Sequence, residues 1–326
     1  MTPYKNNILV IKQGALGDFL LSIGPFQAIR KYHKQSHITL LTTPPYVSLA
    51  KQSGLFDTVW HAPRGRLWNN SGKIMEWYLW KVYGVANIRK LLGSKTFDRV
   101  YDLQTSKTSS QYYRYFSAPP PEWSGIAAGC SHRHTNDRRN FMHTIDRQIE
   151  QLAIAGIKNV ESANLEWLAG DISAIEQINE KSLPSVLLIP GGSRHRKNKR
   201  WPAIYYAKLA NNIISAGLLP ILIGTSEESK IMTEIRRNCT KSINLCGKTN
   251  LGQIASLARN ARATIGNDTG PIHITASVGC PTTVLFSQAS NPSLTAPRGP
   301  KVTVLECKNL KKLPVHIVWK KLDLVP

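Results

Sequence analysis

The chain has 326 residues, 42% of them hydrophobic, and its 42 basic residues against 20 acidic ones give a net charge of +22. This length is enough for two domains of ordinary size. The five cysteines form no CxxC pair and no apolar run reaches the roughly 18 residues of a membrane span, so a disulfide framework, a zinc site and an integral membrane protein are disfavoured.

The positive charge is spread evenly, with 21 basic and 10 acidic residues in each of the halves 1–163 and 164–326. Such a field suits a polyanionic partner, whether a phosphate-rich glycolipid, an anionic membrane surface or nucleic acid. A general solubility trait is the alternative. The first residues lack a signal-peptide pattern, so we expect a cytoplasmic protein, at most peripheral to a membrane.

The N-terminal segment is typical of the start of a doubly wound α/β domain. Residues 8–11 form a short apolar run, and a loop with glycines at 14 and 17 leads into a predicted helix that ends near Tyr32. This spacing is not GxGxxG, and the strand at 37–41 lacks the acidic residue that would hold a ribose, which disfavours an NAD-dependent dehydrogenase. Asp18 begins the helix and is either a helix cap or a general base at the carboxyl edge of the sheet.

Three further stretches of the first half attract attention. Residues 74–92 are rich in aromatic and aliphatic residues with basic neighbours, which is typical either of a helix on a membrane interface or of a core helix with a basic face. The polar loop 102–108 follows a predicted strand at 99–102 and is expected to face the ligand cleft. The basic loop 132–139 is a candidate phosphate-binding surface, although charge runs are more often simply solvated.

The α/β pattern restarts in the second half. A strand at 185–189 is followed by the turn Pro190–Ser193 and the basic run 194–200, before the next predicted helix. A Gly-rich turn after a strand exposes N–H groups, and a nearby lysine neutralises a diphosphate. We place the domain boundary in the polar linker, giving domains 1–170 and 171–326, and expect a closing C-terminal helix at 314–322.

The stretch 265–286 predicts a strand end, a polar turn, a short helix and another strand. Thr269 can cap that helix, Pro271 fits its first position, and Gly270 lets the backbone approach a ligand closely. The helix N-terminus suits a phosphate, with Asp268 and His273 on either side of it. A capped αβ unit without a ligand is the alternative.

The motif Asn267–His273, closed by Gly279–Thr282, resembles the nucleotide-sugar signature of glycosyltransferase family 9, which contains the lipopolysaccharide heptosyltransferases. Gly17-Asp18, Pro190–Ser193 and Lys199–Pro202 resemble the same family. The resemblance implies the GT-B architecture, in which two Rossmann-like, doubly wound parallel-sheet domains face a central cleft. The first domain would bind the acceptor and the second the nucleotide sugar.

The resemblance also implies inverting transfer without a metal or another cofactor. The donor would be ADP-L-glycero-D-manno-heptose, and the acceptor a lipopolysaccharide inner-core glycolipid at the cytoplasmic face of the inner membrane. The implied catalytic base is Asp18. The implied donor-binding residues are Ser193, Lys199, Asp268, Thr269, Gly270 and His273, and the implied acceptor-binding residues are Gly17, Gln104, Thr105 and Lys107.

Other interpretations stay open. The residues after Asp18 lack the histidine that some heptosyltransferase I members carry, so another nucleotide sugar is an alternative donor. A GT-B epimerase or hydrolase would release sugar without an acceptor. A non-catalytic polyanion-binding protein would use the net charge alone, but the chain has no RRM, zinc-finger or helix-turn-helix signature, so we expect no nucleic-acid partner.

Overall fold

A computed structural model describes residues 5–61, 86–173, 175, 183–192 and 196–324. The chain divides into two compact units, Met1–Ala163 and Asn164–Pro326. Each unit contains one six-stranded sheet in which every pair of neighbouring strands is parallel. The prediction of two doubly wound α/β domains is therefore confirmed.

Unit 1 follows the predicted alternation of strands and helices. Its elements are β1 (Asn7–Ile11), α1 (Leu16–Leu20), α2 (Ile23–Tyr32), β2 (His37–Thr42), α3 (Val47–Gln52), β3 (Thr58–His61), β4 (Arg99–Asp102), α4 (Lys107–Gln111), β5 (Glu122–Gly125), β6 (His132–Arg133) and α5 (Thr144–Ile154). The strand order is β3-β2-β1-β4-β5-β6. Four of the five β1 residues are fully buried, as expected of a central parallel strand. Leu9, Ile11, Val100 and Trp123 contribute to the core of the unit.

The single helix predicted after Asp18 is in fact two, α1 and α2. Pro25 is the third residue of α2 and has no N–H, so it cannot donate to the carbonyl of Leu21 as a continuous helix would require. The Ser22 hydroxyl instead donates to the carbonyl of Asp18 at 2.8 Å. The break leaves α1 as a short turn of helix whose only acidic residue in the first turn is Asp18.

Unit 2 has the same alternation of strands and helices. Its elements are β7 (Ser185–Ile189), α6 (Ala203–Ser215), β8 (Leu219–Leu222), α7 (Ser229–Asn238), β9 (Ile243–Asn244), α8 (Leu251–Asn260), β10 (Ala263–Asn267), α9 (Gly270–Ser277), β11 (Thr282–Phe286), α10 (Pro292–Thr295), β12 (Val302–Glu306) and α11 (Val315–Leu322). The strand order is β12-β11-β10-β7-β8-β9. Helix α11 closes the chain by burying Val318 and Leu322 in the core of unit 2.

The units divide at residues 163 and 164, seven residues before the boundary placed from the sequence. Residues 164–170 belong with unit 2 because the Arg259 guanidinium donates to the carbonyls of Leu165 and Leu168, at 2.7 and 2.9 Å. Gly170 and Gly252 also pack backbone against backbone, since a Cβ on Gly252 would lie 2.4 Å from the carbonyl oxygen of Ala169. These contacts join the linker to residues more than eighty positions further along the chain, so they leave no signal in the polar composition of the linker.

The strand orders place a topological switch point in each sheet. In unit 1 the chain runs outward from β1 to β3 and then returns to the other side of β1 as β4. In unit 2 it runs outward from β7 to β9 and returns beside β7 as β10. Open α/β sheets bind their ligands at the carboxyl ends of the two strands that flank such a point.

None of the helices within the described ranges is both long enough and apolar enough to cross a membrane. The segment 74–92, for which a membrane-interface helix was one interpretation, lies largely outside the described residues. Only its end is described, where residues 86–93 are helical.

Candidate functional site

The loop after β1 places Asp18 at the switch point of unit 1. Helix α1 has Ala15 as its N-cap residue, so Asp18 is the third helical residue and not the cap itself. Its carboxylate accepts a hydrogen bond from the Ala15 N–H at 2.9 Å, which fixes the side chain over the start of the helix. A Cβ on Gly14 would lie 2.6 Å from the same carboxylate, so the glycine is what lets Asp18 occupy this position. Gly17 precedes it within α1.

The loop after β4 flanks the same switch point. The fully buried Asp102 carboxylate accepts hydrogen bonds from the N–H groups of Gln104 and Thr105, at 3.1 and 2.9 Å, and from the Ser109 hydroxyl at 2.9 Å. Burial raises the pKa of Asp102 to about 6, although these hydrogen bonds act to lower it. The Gln104 side chain accepts from the N–H of Gln13, which ties the two loops together.

Thr105 and Lys107 complete the predicted acceptor loop. Thr105 has a φ of +46°, in the left-handed region that a β-branched residue rarely adopts. The hydrogen bond from its N–H to Asp102 holds this conformation. Lys107 is exposed at the first position of α4. Strained backbone of this kind is found most often at binding and catalytic loops.

Cationic side chains lie near Asp18 and Asp102. Lys12 is 4% exposed and its ammonium donates to the carbonyl of Leu103 at 3.1 Å. Burial lowers the pKa of Lys12 to about 8, while the charges of Asp18 and Asp102 act to raise it and that of Arg147 to lower it. Burial also lowers the pKa of Arg147, and the charge of Asp18 opposes that change. Lys12 and Arg147 therefore both lie close enough to Asp18 for its charge to act on their pKa values.

The basic loop 132–139 contributes to the same cluster. Burial, and then the charge of Arg147, lower the pKa of Arg139, whereas the charge of Asp102 raises it. His134 is almost fully buried, and its Nε2 lies 3.3 Å from the Glu150 carboxylate. His134 and Arg139 are therefore shielded from solvent, whereas Arg133 and Arg138 of the same loop are exposed, and a phosphate-binding role for the loop stays a prediction.

In unit 2 the loops after β7 and β10 meet at the switch point. The Lys199 ammonium lies 2.6 Å from the Asp268 carboxylate, and the two side chains are only 12% and 10% exposed. From the sequence, Lys199 is predicted to contact a diphosphate and Asp268 to accept hydrogen bonds from sugar hydroxyls. The ion pair between the two side chains was not predicted. The ion pair gives each side chain a fixed position before any ligand arrives.

Helix α9 begins beside this ion pair. Thr269 is its N-cap residue but makes no side-chain capping hydrogen bond, and Gly270 is its first residue, so Pro271 occupies the second position and not the first. His273 is 5% exposed in the first turn. The helix therefore presents its positive end next to Lys199 and Asp268, which is the arrangement that binds phosphate groups.

The turn after β7 is held by a residue that the sequence did not single out. The Glu228 carboxylate accepts from the N–H groups of Gly192 and Thr225, each at 2.8 Å. A Cβ on Gly191 would lie 1.8 Å from that carboxylate, which explains the glycine. Ser193 of the same turn was predicted to bind the donor and lies outside the described residues.

Sequence reasoning also missed Lys12, Asp102 and Arg147. Lys12 and Asp102 each stand at the end of a buried strand, which is the one signal available for them. The importance of Arg147, on α5, depends on packing that sequence patterns do not report. Among the described residues, no group of three or more His, Cys, Asp or Glu side chains is placed to hold a metal ion.

Comparison with known proteins decides the family. The family described as glycosyltransferase family 9 (heptosyltransferase) matches residues 85–318, which is more than half of the chain. The chain belongs to glycosyltransferase family 9. The resemblance seen in the motifs is thus confirmed. The matched region contains the unit 2 site and the loop after β4, whereas Asp18 lies before it.

One curated relative matches only part of this chain. The lipooligosaccharide heptosyltransferase 2 of Haemophilus influenzae is 35% identical over 119 residues, which are 35% of this chain and 34% of that relative. The match thus spans about a third of the length of this curated relative.

Solved structures match over the whole length. The glycosyl transferase family 9 structure from Veillonella parvula has a TM-score of 0.78 and 20% identity, and the match covers 98% of this chain and 97% of that one. The E. coli ADP-heptose lipopolysaccharide heptosyltransferase II has a TM-score of 0.70 and 21% identity, with 97% of each chain covered. These family 9 structures confirm the predicted GT-B fold class.

Proposed function

We propose that this family 9 chain is a glycosyltransferase that moves a sugar from a nucleotide diphosphate to a glycolipid acceptor. The observation that carries the proposal is the close pairing of Lys199 with Asp268 at the start of α9, at the switch point of unit 2. A diphosphate at this place would meet an ammonium group and helix N–H groups together. Asp268 would orient both Lys199 and the sugar hydroxyls.

The proposed donor is ADP-L-glycero-D-manno-heptose. The names of the Haemophilus and E. coli relatives support a heptose, and the E. coli name includes ADP-heptose. We place the diphosphate at Ser193, Lys199, Thr269, Gly270 and His273. The missing histidine after Asp18 keeps another nucleotide sugar as the alternative donor.

The proposed reaction is a single displacement with inversion. Asp18 takes the proton of an acceptor hydroxyl while that oxygen attacks the anomeric carbon from the face opposite the diphosphate. The bond between the anomeric carbon and the diphosphate oxygen breaks, and ADP leaves with the electron pair. Lys199 and the N-terminus of α9 stabilise the negative charge that develops on ADP, and we propose that no metal or other cofactor takes part.

The proposed acceptor is a lipopolysaccharide inner-core glycolipid, held by Gly17, Gln104, Thr105 and Lys107. The three cationic side chains Lys12, Arg139 and Arg147, which lie near Asp18 and Asp102, support an anionic acceptor. Such an acceptor lies in a membrane, so we propose a cytoplasmic enzyme that contacts the anionic inner face of the inner membrane through its net positive charge.

The test is calorimetric titration of the protein with ADP, UDP, GDP and ADP-heptose in the presence of EDTA. Selective binding of ADP and ADP-heptose supports the proposal, and transfer of heptose to a core acceptor is then measured in the same buffer. Preference for UDP or GDP would refute ADP-heptose as the donor. Absence of binding to all four ligands would refute the donor site.

A further inference from the structure

Asn267 is the last residue of β10, and its side chain is completely buried. Its amide nitrogen donates to the carbonyls of Pro190 and Gly191, at 2.8 and 3.0 Å. Its amide oxygen accepts from the N–H of Trp201 at 3.0 Å and from the hydroxyl of Tyr206 at 3.2 Å. The two N–H donors and the two lone pairs of the carboxamide are therefore all used.

These four hydrogen-bond partners can all be satisfied by the side-chain carboxamide of asparagine. Two carbonyls can only accept and a backbone N–H can only donate, so the orientation of the amide group follows from its neighbours. Aspartate has the same shape, but its carboxylate would set an oxygen against the carbonyls of Pro190 and Gly191. An apolar residue would leave four buried polar groups without partners.

The three segments that Asn267 joins are the segments that carry the donor site. Asp268 is the next residue along the chain, Lys199 lies two residues before Trp201, and Pro190 and Gly191 begin the turn after β7. The separation of the Lys199 ammonium from the Asp268 carboxylate therefore depends on the Asn267 side chain as well as on their own contact. Glu228 also holds this turn, because its carboxylate accepts a hydrogen bond from the N–H of Gly192.

We propose that Asn267 is a positioning residue for the donor diphosphate. This inference rests on the proposed function, because it assigns Asn267 a role in the site that we propose for the nucleotide sugar. The side chain fixes the turn after β7 and the segment that leads from the 3-10 turn Lys197–Lys199 to Trp201 in one arrangement, so that Lys199 and the backbone N–H groups point at the same phosphate position. Binding then needs little rearrangement of these loops.

The test compares Asn267→Asp with Ile213→Ala by calorimetric titration with ADP, at a temperature where circular dichroism shows each variant folded. Ile213 is fully buried in the same core on α6, so its truncation lowers the stability of unit 2 without touching the loops. We expect Asn267→Asp to weaken ADP binding at least about tenfold and Ile213→Ala to leave it within about twofold. Asn267→Ser, which keeps one donor and admits water, is the second variant if the aspartate does not fold, and we expect an intermediate loss.

The outcomes separate the two proposals. If the unaltered protein binds ADP and the Asn267 variants bind it equally well, the positioning role is refuted while the donor site stands. If Ile213→Ala weakens binding as much as Asn267→Asp does, Asn267 contributes only stability and the proposal is again refuted. If the unaltered protein binds no nucleoside diphosphate, both the positioning role and the proposed function fail.

Discussion

Replacement of Lys12 by methionine tests whether a charged lysine is buried beside Asp18. Lys12 is 4% exposed, and its ammonium donates to the Leu103 carbonyl. Methionine has a similar length and is unbranched, so it fills the same space without the charge. Because burial lowers the pKa of Lys12 from 10.5 to about 8, the folded protein holds this proton less tightly than the unfolded chain does.

The sign and size of the effect follow from this difference. Between pH 8 and 10.5 Lys12 is protonated more often in the unfolded chain than in the folded protein. The contribution of Lys12 to the free energy of unfolding therefore increases as the pH rises. With 1.36 kcal/mol for each pKa unit, the Lys12 contribution should increase by about 2.5 kcal/mol from pH 7 to pH 10. In Lys12→Met this increase is absent, so the stability difference between the two proteins should change by that amount.

Unfolding of unit 1 can be followed at one thiol. Cys130 is the one cysteine within residues 1–163, and it is buried in the core of that unit. Brief pulses of a thiol reagent in increasing urea, read by peptide mass, give the unfolding midpoint of unit 1 at each pH. Lys158→Met, at an exposed lysine of the same unit, is the control and should show no pH-dependent difference. A Lys12→Met difference that is constant from pH 7 to pH 10 would refute a buried, charged Lys12.

Three further predictions concern the proposed reaction and its scaffold. Asp18→Asn should lower transfer at least about a thousandfold and leave ADP affinity within about twofold, because it removes the proton acceptor but not the donor site; normal turnover in a coupled ADP-release assay would eliminate Asp18 as the base. Lys199→Ala should raise the Kd for ADP about ten- to a hundredfold, since Asp268 then faces the diphosphate without its partner, whereas the exposed control Lys230→Ala should bind normally in the same titration. Gly266→Ala should destabilise unit 2 by about 2 kcal/mol in thermal denaturation, because the new Cβ would lie 2.7 Å from the Cβ and 2.8 Å from the carbonyl oxygen of Ile189. An unchanged melting temperature would show that β7 and β10 can move apart without loss of stability.

Much of the fold could be predicted from the sequence because buried parallel strands are short apolar runs followed by polar or Gly-rich loops. The loop that holds Asp18 and the helix that starts at Gly270 both follow such runs. The break before α2 also had a visible signal in Pro25. The domain boundary had none, because the placement of residues 164–170 depends on Arg259, which lies about ninety residues further along the chain.

The contacts within each site could not be read from local patterns. Lys199 and Asp268 are 69 residues apart and meet only because β7 and β10 are neighbours in the sheet. The burial of Lys12 depends in the same way on the loop after β4, 91 residues away. The sequence identifies which loops carry polar groups. The strand order decides which of those groups are in contact. It therefore also decides which charged side chains are buried and have shifted pKa values.

The strand order itself is repeated. Counted outward from the first strand of each unit, both sheets have the order 3-2-1-4-5-6, and each encloses its own hydrophobic core. A chain built this way is modular: mutations that reshape the loops of one sheet leave the packing of the other sheet intact. Under the proposed function, in which unit 2 binds the donor, exchange of residues 164–326 for the matching half of another family 9 chain should change the donor preference without rebuilding the sheet of unit 1.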